Sequence, residues 1–299
     1  MEKEQSPSQK KPQHSHELQD CIPVHPLSSK PNAAWIDMQT KENRQTISIP
    51  PLLPLSTAIR PDHVRFVCIS DTHSMLDKIL NKIPPGDVLI HAGDFTYGGG
   101  VTEVEKFNEQ LGRTQHQHRI VISGNHEDIF SDGGKIYDKN SPKDGPTKKI
   151  QPRDLLTNCT YLEDESVTIY GIKIYGSPWQ PRFGGRAFSL LRGKQLMEKW
   201  ARIPTDTDVL VTHGPPVGHG DLSFYGMTGK RAGCVDLLNV VEQRVKPAFH
   251  IFGHIHEGYG LTSNNQGTVF INASTCNAKY RPVNDPIIFD FPLPSGITK

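Results

Sequence analysis

The sequence predicts an α/β fold of stacked sheets with helices on their outer faces. From Val64 onward, short apolar runs that each end in glycine or a polar cluster alternate with stretches of helical spacing. The predicted strands outnumber the predicted helices. This imbalance favours layered sheets over a barrel of strict βα repeats.

The predicted strands differ in how they are covered. Several runs are apolar almost throughout, as expected for strands covered on both faces: residues 64–69, 88–91, 119–122, 209–211 and 249–252. Residues 167–175 carry apolar residues around Gly171, which predicts a hairpin, and late strands are predicted at 268–271 and 287–291. Helices are predicted where apolar residues recur at helical spacing, at 101–111, 195–201 and 235–245.

The first 60 residues differ in composition from the rest of the chain. They hold eight of the 24 prolines, together with many Lys, Gln, Ser and His residues, and show no periodicity before Ile47. Such a composition buries too little apolar surface to offset the entropy of ordering. We therefore expect a disordered proline-rich tail over residues 1–60 and one folded domain over 61–299.

Composition gives no support to a nucleic-acid or membrane partner. With 33 Lys and Arg against 32 Asp and Glu, the formal net charge is +1, which argues against a nucleic-acid substrate. No stretch approaches the roughly 18 apolar residues of a membrane span, and the first residues do not resemble a signal peptide. The five cysteines form no C-x-x-C pair. We expect a cytoplasmic protein with reduced cysteines and no membrane partner.

Side chains that can bind metals follow the predicted strands. Each buried run leads directly into such a group: Asp71 and His73, Asp94, Asn125 and His126, His213, and His254 and His256. In α/β sheets, ligands bind outside the carboxyl ends of the strands. We therefore expect all five exits to meet at one crevice.

The spacing within two of these groups suggests a shared direction. In an extended segment, residues two apart project to the same side, so Asp71 and His73 can face one ion, as can His254 and His256. Gly93 and other glycines directly before the candidate ligands leave room for a close approach.

The donor set predicts two ions. Four imidazoles, two carboxylates and one amide suit first-row divalent metals better than calcium or magnesium, and seven ligands are too many for one tetrahedral ion. Two ions about 3.5 to 4 Å apart with a bridging carboxylate activate water and hold phosphoryl oxygens. Phosphoester hydrolysis is the chemistry that this set serves.

These groups also carry a family resemblance. In order, the motifs DTH at 71–73, GD at 93–94, GNHE at 124–127, THG at 212–214 and GHIH at 253–256 resemble the five blocks of the calcineurin-like metallophosphoesterases. FVCISDTHS at 66–74, GSPWQP at 176–181 and FGHIHEGYG at 252–260 resemble the metallophosphoesterase-domain-containing subgroup. The resemblance extends over about 64–292.

The resemblance implies roles for the individual residues. One metal would be held by Asp71, His73 and His256, with Asp94 as the bridge. The other would be held by Asn125, His213 and His254. His126 would be the catalytic histidine beside the scissile phosphate. Some members of the subgroup have glycine at the position of His254, so its presence here implies the full set.

The resemblance also implies a fold, a cofactor and a substrate class. The fold would be a four-layer αββα sandwich of two mixed β-sheets flanked by helices, over a metallophosphoesterase domain at 61–299. The cofactors would be two divalent ions, with manganese expected and iron, zinc, cobalt or magnesium as alternatives. Small phosphodiesters, including cyclic nucleotides, would be the substrates.

Further residues are candidates for substrate binding. We expect Asn125 and His126 to contact the phosphate, and Trp179, Gln180 and Arg182 to line the pocket, although pure packing is an equal alternative for Trp179. The lysine-rich segment 128–157 is either a solvated loop or a lid whose charge attracts phosphate.

These inferences combine into one functional hypothesis with open alternatives. We expect a dinuclear metal-dependent phosphodiesterase, a phosphoric diester hydrolase in which a metal-bridging hydroxide attacks phosphorus. A phosphomonoesterase or nuclease on the same scaffold is one alternative. A metal- or nucleotide-binding scaffold with vestigial activity is another. The oligomeric state and the physiological substrate stay open.

Overall fold

The computed structural model describes residues 22–131, 136–137, 149–224 and 229–299. Its strands, in chain order, are β1 (Ile47–Ile49), β2 (His63–Ile69), β3 (Val88–His91), β4 (His118–Val121), β5 (Ile136–Tyr137), β6 (Lys149–Ile150), β7 (Thr160–Tyr161), β8 (Glu165–Ile169), β9 (Ile172–Ser177), β10 (Gln180–Pro181), β11 (Ser189–Leu190), β12 (Val209–Thr212), β13 (Leu222–Ser223), β14 (Lys230–Arg231), β15 (Phe249–Phe252), β16 (Gly260–Ser263), β17 (Val269–Asn272) and β18 (Ile287–Pro292).

Four α-helices are found within the same residues: α1 (Pro31–Lys41), α2 (Val101–Gly112), α3 (Lys194–Trp200) and α4 (Val235–Val240), which continues as a π-helical turn at Val241–Val245. Short 3₁₀ turns lie at Leu76–Lys78, Leu80–Lys82, Asp128–Phe130, Pro152–Leu155 and His256–Gly258. None of the described helices combines the length and the apolar character that crossing a bilayer requires.

Two mixed sheets form the centre of the molecule. One has the strand order β18-β2-β3-β4-β7, in which β18 is antiparallel to β2 and the others run parallel. The other has the order β1-β16-β17-β15-β12-β9-β8, with a parallel centre from β17 to β9 and antiparallel strands outside it. The parallel strands of each sheet place their carboxyl ends at a common edge.

The main core lies between the two sheets, and helices cover their outer faces. Along β12, Val209 and Val211 join the inter-sheet cluster, whereas Leu210 packs against the helices, as the two-residue period of a strand requires. Helices α1, α3 and α4 cover the seven-stranded sheet, and α2 covers the five-stranded sheet through Val104 and Phe107. The predicted four-layer αββα sandwich is therefore confirmed.

Most predicted elements match the observed ones closely. The runs at 88–91 and 249–252 coincide with β3 and β15, and the predicted hairpin is the antiparallel pair β8 and β9, which turns at Gly171. The helix predicted at 101–111 is α2 with one further residue. Short apolar runs bounded by turn residues locate strands well because both signals are local.

The prediction of a disordered segment over residues 1–60 is wrong for residues 22–60. Helix α1 begins with Pro31 in its first turn and buries Ala34, Trp35 and Met38 against the cluster that also contains α4. Beyond it, Arg44 Nη1 lies 3.2 Å from Glu242 Oε2. Three apolar residues in a polar segment are too few to give a periodic signal in the sequence. They are buried because they pack against residues of α4, which are distant in the sequence. Residues 1–21 lie outside the described residues.

Candidate metal centre

The predicted ligands come together at the carboxyl edge of both sheets. The five-stranded sheet contributes the segments after β2, β3 and β4, and the seven-stranded sheet contributes those after β12 and β15. Three overlapping clusters result, and within each the ligand atoms lie within 4.8 Å of one another: Asp71 with His73 and His256, His73 with Asp94 and His126, and Asp94 with His213 and His254.

The first half of the centre contains two imidazoles and one carboxylate. His73 Nε2 lies 3.2 Å from His256 Nε2, and His256 Nε2 lies 3.3 Å from Asp71 Oδ1. These three atoms belong to segments that follow β2 and β15, which are in different sheets. A single ion is therefore within reach of both sheets.

The second half is built around Asp94. Its Oδ1 lies 3.3 Å from His213 Nε2, while its Oδ2 lies 3.9 Å from His73 Nε2 in the first half. Asn125 Oδ1 lies 3.1 Å from His213 Nε2, which brings the amide oxygen to the same side. Asp94 thus presents one oxygen to each half, as a bridging carboxylate does.

The backbone at the ligands departs from the extended conformation expected from the sequence. Asp71 and His73 have φ values of 51° and 42°, and His254 has 68°, so these residues are left-handed rather than extended. Such backbone costs about 1 to 3 kcal/mol for each residue that is not glycine, and it clusters at functional sites. Tight left-handed turns therefore aim these ligands, and strand alternation does not.

Gly93 shows how closely the segments approach one another. Its φ is +96°, and a Cβ built there would lie 2.5 Å from His213 Nδ1 and 2.7 Å from Ser123 O. No L-amino acid with a side chain fits this position without moving a ligand. The glycine before Asp94 therefore permits His213 to reach the centre.

Backbone carbonyls fix three imidazoles of the centre. Because a carbonyl oxygen only accepts hydrogen bonds, the Nδ1 atom of each ring carries the hydrogen, and Nε2 presents its lone pair in the neutral form. The pairs are His73 Nδ1 with Thr96 O at 3.3 Å, His213 Nδ1 with Ala92 O at 2.9 Å, and His256 Nδ1 with Asn277 O at 3.0 Å. This orientation is typical of metal-binding histidines.

Hydrogen bonds also hold the carboxylates. Asp71 accepts from the backbone N–H of His254 at 3.0 Å and from Ser274 Oγ at 2.9 Å. Asp94 Oδ1 accepts from the backbone N–H of His126 at 2.9 Å. These donors leave each carboxylate with an oxygen directed at an imidazole.

Glu127 supports the centre from behind and was not singled out from the sequence. Its carboxylate accepts from the backbone N–H groups of Asp94 at 2.9 Å, Gly124 at 2.6 Å and Thr96 at 2.8 Å. Burial, together with the negative charge of Asp94, raises the pKa of Glu127 to about 8. The only sequence signal for this role is its position directly after His126.

The electrostatics of the centre favour cations. Burial alone would raise the pKa of Asp94, but the charge and hydrogen bond of His213 outweigh it and lower that pKa well below its usual value. Burial likewise opposes protonation of His213, yet Asp94 outweighs it and raises its pKa to about 9. Burial lowers the pKa of His254 to about 3, so this ring is neutral. The anionic Asp94 and the neutral His254 ring are therefore available to a cation, which would displace the proton that His213 carries in the metal-free protein.

The residues present fit a pair of divalent metal ions. When His73 and His256 are both neutral, their Nε2 lone pairs face each other across 3.2 Å, and a cation between them relieves this repulsion. The donors are imidazole nitrogens and carboxylate or amide oxygens, which suit first-row divalent ions. Asp94 lies between the two halves, where one carboxylate can contact both ions.

A cavity of about 340 Å³ opens onto the centre. Of the predicted substrate-binding residues, Asn125, His126 and Arg182 line it. Residues that the sequence analysis did not identify complete its wall: Phe183, Arg186, Arg192, Glu257 and Tyr280. Phe183 lies edge-on to His254 with ring centroids 5.9 Å apart. Phe183 and Arg186 share the loop between β10 and β11, whereas the other three come from separate segments, and only Glu257 lies within a motif singled out in the sequence.

The prediction that Trp179 and Gln180 line this pocket is wrong. Trp179 Nε1 donates to Asp164 Oδ2 at 3.0 Å, and Lys199 Nζ lies 3.8 Å from its ring centre, so the indole lines a neighbouring cavity. Gln180 is fully buried, and its Nε2 donates to Ala187 O at 3.4 Å. Asp164 and Lys199 thus hold Trp179 outside this cavity, and Ala187 holds Gln180.

The lysine-rich segment 128–157, predicted to be either a solvated loop or a lid, is only partly described. Its lysines at 135, 139, 143 and 148 lie outside the described residues. Asp128–Phe130 forms a 3₁₀ turn, and Asp128 Oδ2 lies 3.5 Å from Arg186 Nη1 of the cavity wall. The described start of the segment thus contacts the cavity wall.

Comparison with known proteins identifies the family of this chain. Residues 64–258 match the family model of the calcineurin-like phosphoesterases. The chain is 50% identical over 277 residues to UPF0046 protein C25E10.12 of Caenorhabditis elegans, covering 92% of this chain and 97% of that protein. It is 45% identical over 284 residues to metallophosphoesterase domain-containing protein 1 of Homo sapiens, covering 91% and 86%. The chain therefore belongs to the calcineurin-like family of metal-dependent phosphoesterases, within the metallophosphoesterase-domain-containing subgroup.

Proposed function

We propose that this protein is a phosphodiesterase that uses two divalent metal ions. The observation that carries the proposal is the position of Asp94, whose two oxygens face different groups of imidazoles, His213 on one side and His73 on the other. Family membership supports phosphoester hydrolysis, and the shared carboxylate supports a dinuclear centre.

The ligands divide between the two ions. Asp71, His73 and His256 would hold one ion, and Asn125, His213 and His254 the other, with Asp94 shared between them. Bound there, the ions supply an activated water and neutralise phosphoryl oxygens. Manganese is the expected ion, and iron, zinc, cobalt and magnesium are the alternatives to be compared.

His126 is the proposed catalytic acid. Its ring Nδ1 donates to the backbone carbonyl of Tyr97, and its own backbone N–H donates to Asp94. The ring thus has a fixed orientation beside the bridging carboxylate, and it lines the cavity. Protonated at Nε2, it would transfer that proton to the departing alkoxide oxygen, while the Tyr97 carbonyl stabilises the cationic ring.

The cavity wall supports a small, singly charged diester with an aromatic group as the substrate. Arg182 provides positive charge for the phosphate, and Asn125 provides an amide beside it. Phe183 and Tyr280 are partly exposed aromatic rings on the same wall, and a nucleobase can stack on such rings. These features support cyclic nucleotides as candidate substrates.

The test compares substrates and a matched pair of variants. Metal-free protein is loaded with Mn²⁺ and assayed on bis-p-nitrophenyl phosphate, p-nitrophenyl phosphate and a panel of cyclic nucleotides. Diester hydrolysis is expected to exceed monoester hydrolysis and to disappear in Asp94→Asn. Asp206→Asn, at an exposed carboxylate that pairs with Lys173, should retain full activity. A preference for the monoester, or full activity of Asp94→Asn, would refute the proposal.

A further inference from the structure

Two buried histidines outside the ligand set lie in parallel strands, one in each sheet. His91 ends β3 and His250 lies in β15, and both are fully buried. His91 Nε2 lies 2.9 Å from Thr72 Oγ1, and His250 Nε2 lies 2.8 Å from Thr212 Oγ1. Thr72 follows β2, the neighbour of β3, and Thr212 ends β12, the neighbour of β15. Each threonine is adjacent in sequence to at least one proposed metal ligand.

The hydrogen-bond directions around Thr212 can be assigned. Its hydroxyl donates to the carbonyl of Gly214 at 2.8 Å, so it must accept from the Nε2–H of His250. This hydrogen bond joins residues 212 and 214, which flank His213. His250 thus holds a hydroxyl that closes the turn around one proposed ligand of the second ion.

Thr72 occupies the corresponding place at the first ion. It lies between Asp71 and His73, both of which have left-handed backbone that relaxes unless its surroundings restrain it. The contact with His91 is a side-chain restraint on this segment, and the His91 ring packs edge-on against Phe95 and Phe107.

Neither histidine has another evident structural purpose for its polar atoms. The Nδ1 atoms of His91 and His250 have no hydrogen-bond partner among the described residues. Burial lowers the pKa of both rings to about 3, so they are neutral at physiological pH. An apolar side chain would fill either position without leaving a polar atom unpaired. The retained polarity is explained by the one hydrogen bond that each ring makes to its threonine.

We propose that His91 and His250 are positioning residues for metal binding, each acting through its threonine on a different ion. The inference rests on the dinuclear function proposed above. The His91 and Thr72 pair would restrain Asp71 and His73, and the His250 and Thr212 pair would restrain His213. The two pairs therefore act on separate halves of the centre.

The test measures metal affinity rather than turnover. Mn²⁺ is titrated calorimetrically into metal-free protein carrying Thr72→Val, Thr212→Val or both, which removes a hydroxyl while preserving shape. Each single variant is expected to weaken one of the two binding events by about 10- to 100-fold, and the double variant both. Thr268→Val is the matched control, because its buried hydroxyl donates to Pro247 O at 2.8 Å outside the centre.

A second pair of variants separates positioning from folding. His250→Gln keeps an N–H donor near the Nε2 position and should retain an Mn²⁺ affinity close to that of the wild-type protein. His250→Leu has no such donor and should bind Mn²⁺ more weakly. Unfolding temperatures of the metal-free variants are recorded in parallel. Wild-type affinity in Thr72→Val and Thr212→Val, or lowered thermal stability with unchanged affinity, would overturn the inference. Failure of the wild-type protein to bind two Mn²⁺ ions would instead refute the dinuclear function.

Discussion

The imidazoles of His73 and His256 face each other with their Nε2 atoms 3.2 Å apart, although 183 positions separate the two residues. Carbonyls of Thr96 and Asn277 hold the opposite nitrogen of each ring, so neither imidazole can turn away without losing a hydrogen bond. The fold therefore maintains two nitrogen donors at a separation that a bridging cation would stabilise.

Metal binding should stabilise the folded protein measurably. At a free Mn²⁺ concentration 100 times the dissociation constant, one bound ion adds about 2.7 kcal/mol to the free energy of unfolding. Thermal unfolding with EDTA and with Mn²⁺ tests this expectation. His256→Gln should lose most of the increase, while His118→Gln, at the other end of the strands, should keep it. Equal increases in both variants would contradict the ligand assignment.

Replacing His126 should affect substrates according to their leaving groups. A general acid typically contributes about 10²- to 10⁴-fold, but only where the departing oxygen needs a proton. His126→Asn should therefore lower kcat strongly for alkyl leaving groups and weakly for p-nitrophenolate. The measurement is kcat across a series of diesters with graded leaving-group pKa. An equal loss on every diester would indicate a role in binding or charge stabilisation instead.

Glu127→Gln should disturb the centre without touching a metal. Glu127 Oε2 accepts hydrogen bonds from the backbone N–H groups of Asp94 and Gly124, and Oε1 accepts from that of Thr96. A Gln amide nitrogen in either position would therefore direct its hydrogens against at least one backbone N–H group. One unpaired buried group costs about 1 to 3 kcal/mol. Urea unfolding should show this loss, and Mn²⁺ affinity should fall with it. Glu198→Gln, at an exposed position of α3, is expected to change neither quantity.

Trp35→Ala should show that helix α1 belongs to the folded domain. The indole is 3% exposed, and a Cβ built on Gly218 would lie 2.4 Å from it, so the two segments are closely packed. Truncating a buried Trp costs about 3 to 5 kcal/mol. Ile36→Ala, at a neighbouring residue that is 62% exposed, should change stability by less than about 0.5 kcal/mol. Similar unfolding midpoints for the two variants would show that α1 adds no stability.

The metal-free protein should lose stability on acidification. Burial lowers the pKa of His91, His219 and His250 from 6.5 to about 3. Between these values the unfolded chain binds protons that the folded chain does not. The free energy of unfolding therefore decreases as the pH is lowered, by up to about 1.4 kcal/mol per pH unit for each ring. Urea unfolding in EDTA should show this slope below about pH 6.5, and His219→Asn should reduce it.

His213 should act in a different pH range. Its pKa in the metal-free protein is raised to about 9, so its pairing with Asp94 adds stability that is complete below 6.5 and is lost as the pH rises through 9. The same urea unfolding measurements in EDTA, extended to alkaline pH, test this loss of stability. His213→Gln should remove the alkaline decline and leave the acidic one. If the free energy of unfolding of His213→Gln declined equally at alkaline pH, a group other than His213 would be responsible.

The sequence by itself determined the layered α/β architecture and the positions of the strand exits that carry ligand residues. Apolar runs bounded by turn residues are local signals, and metal-binding residue types can be identified wherever they occur. The order of the five motifs, from Asp71 to His256, therefore predicted both the family and the residues to be brought together.

Only the tertiary structure decided how those residues meet and what surrounds them. The left-handed turns at Asp71 and His73, the packing of Trp35, the position of Trp179 in a neighbouring cavity and the cavity wall at Arg192 all depend on partners from distant segments. Such contacts leave no periodic trace in the chain, because the partner that stabilises each side chain lies elsewhere in the sequence.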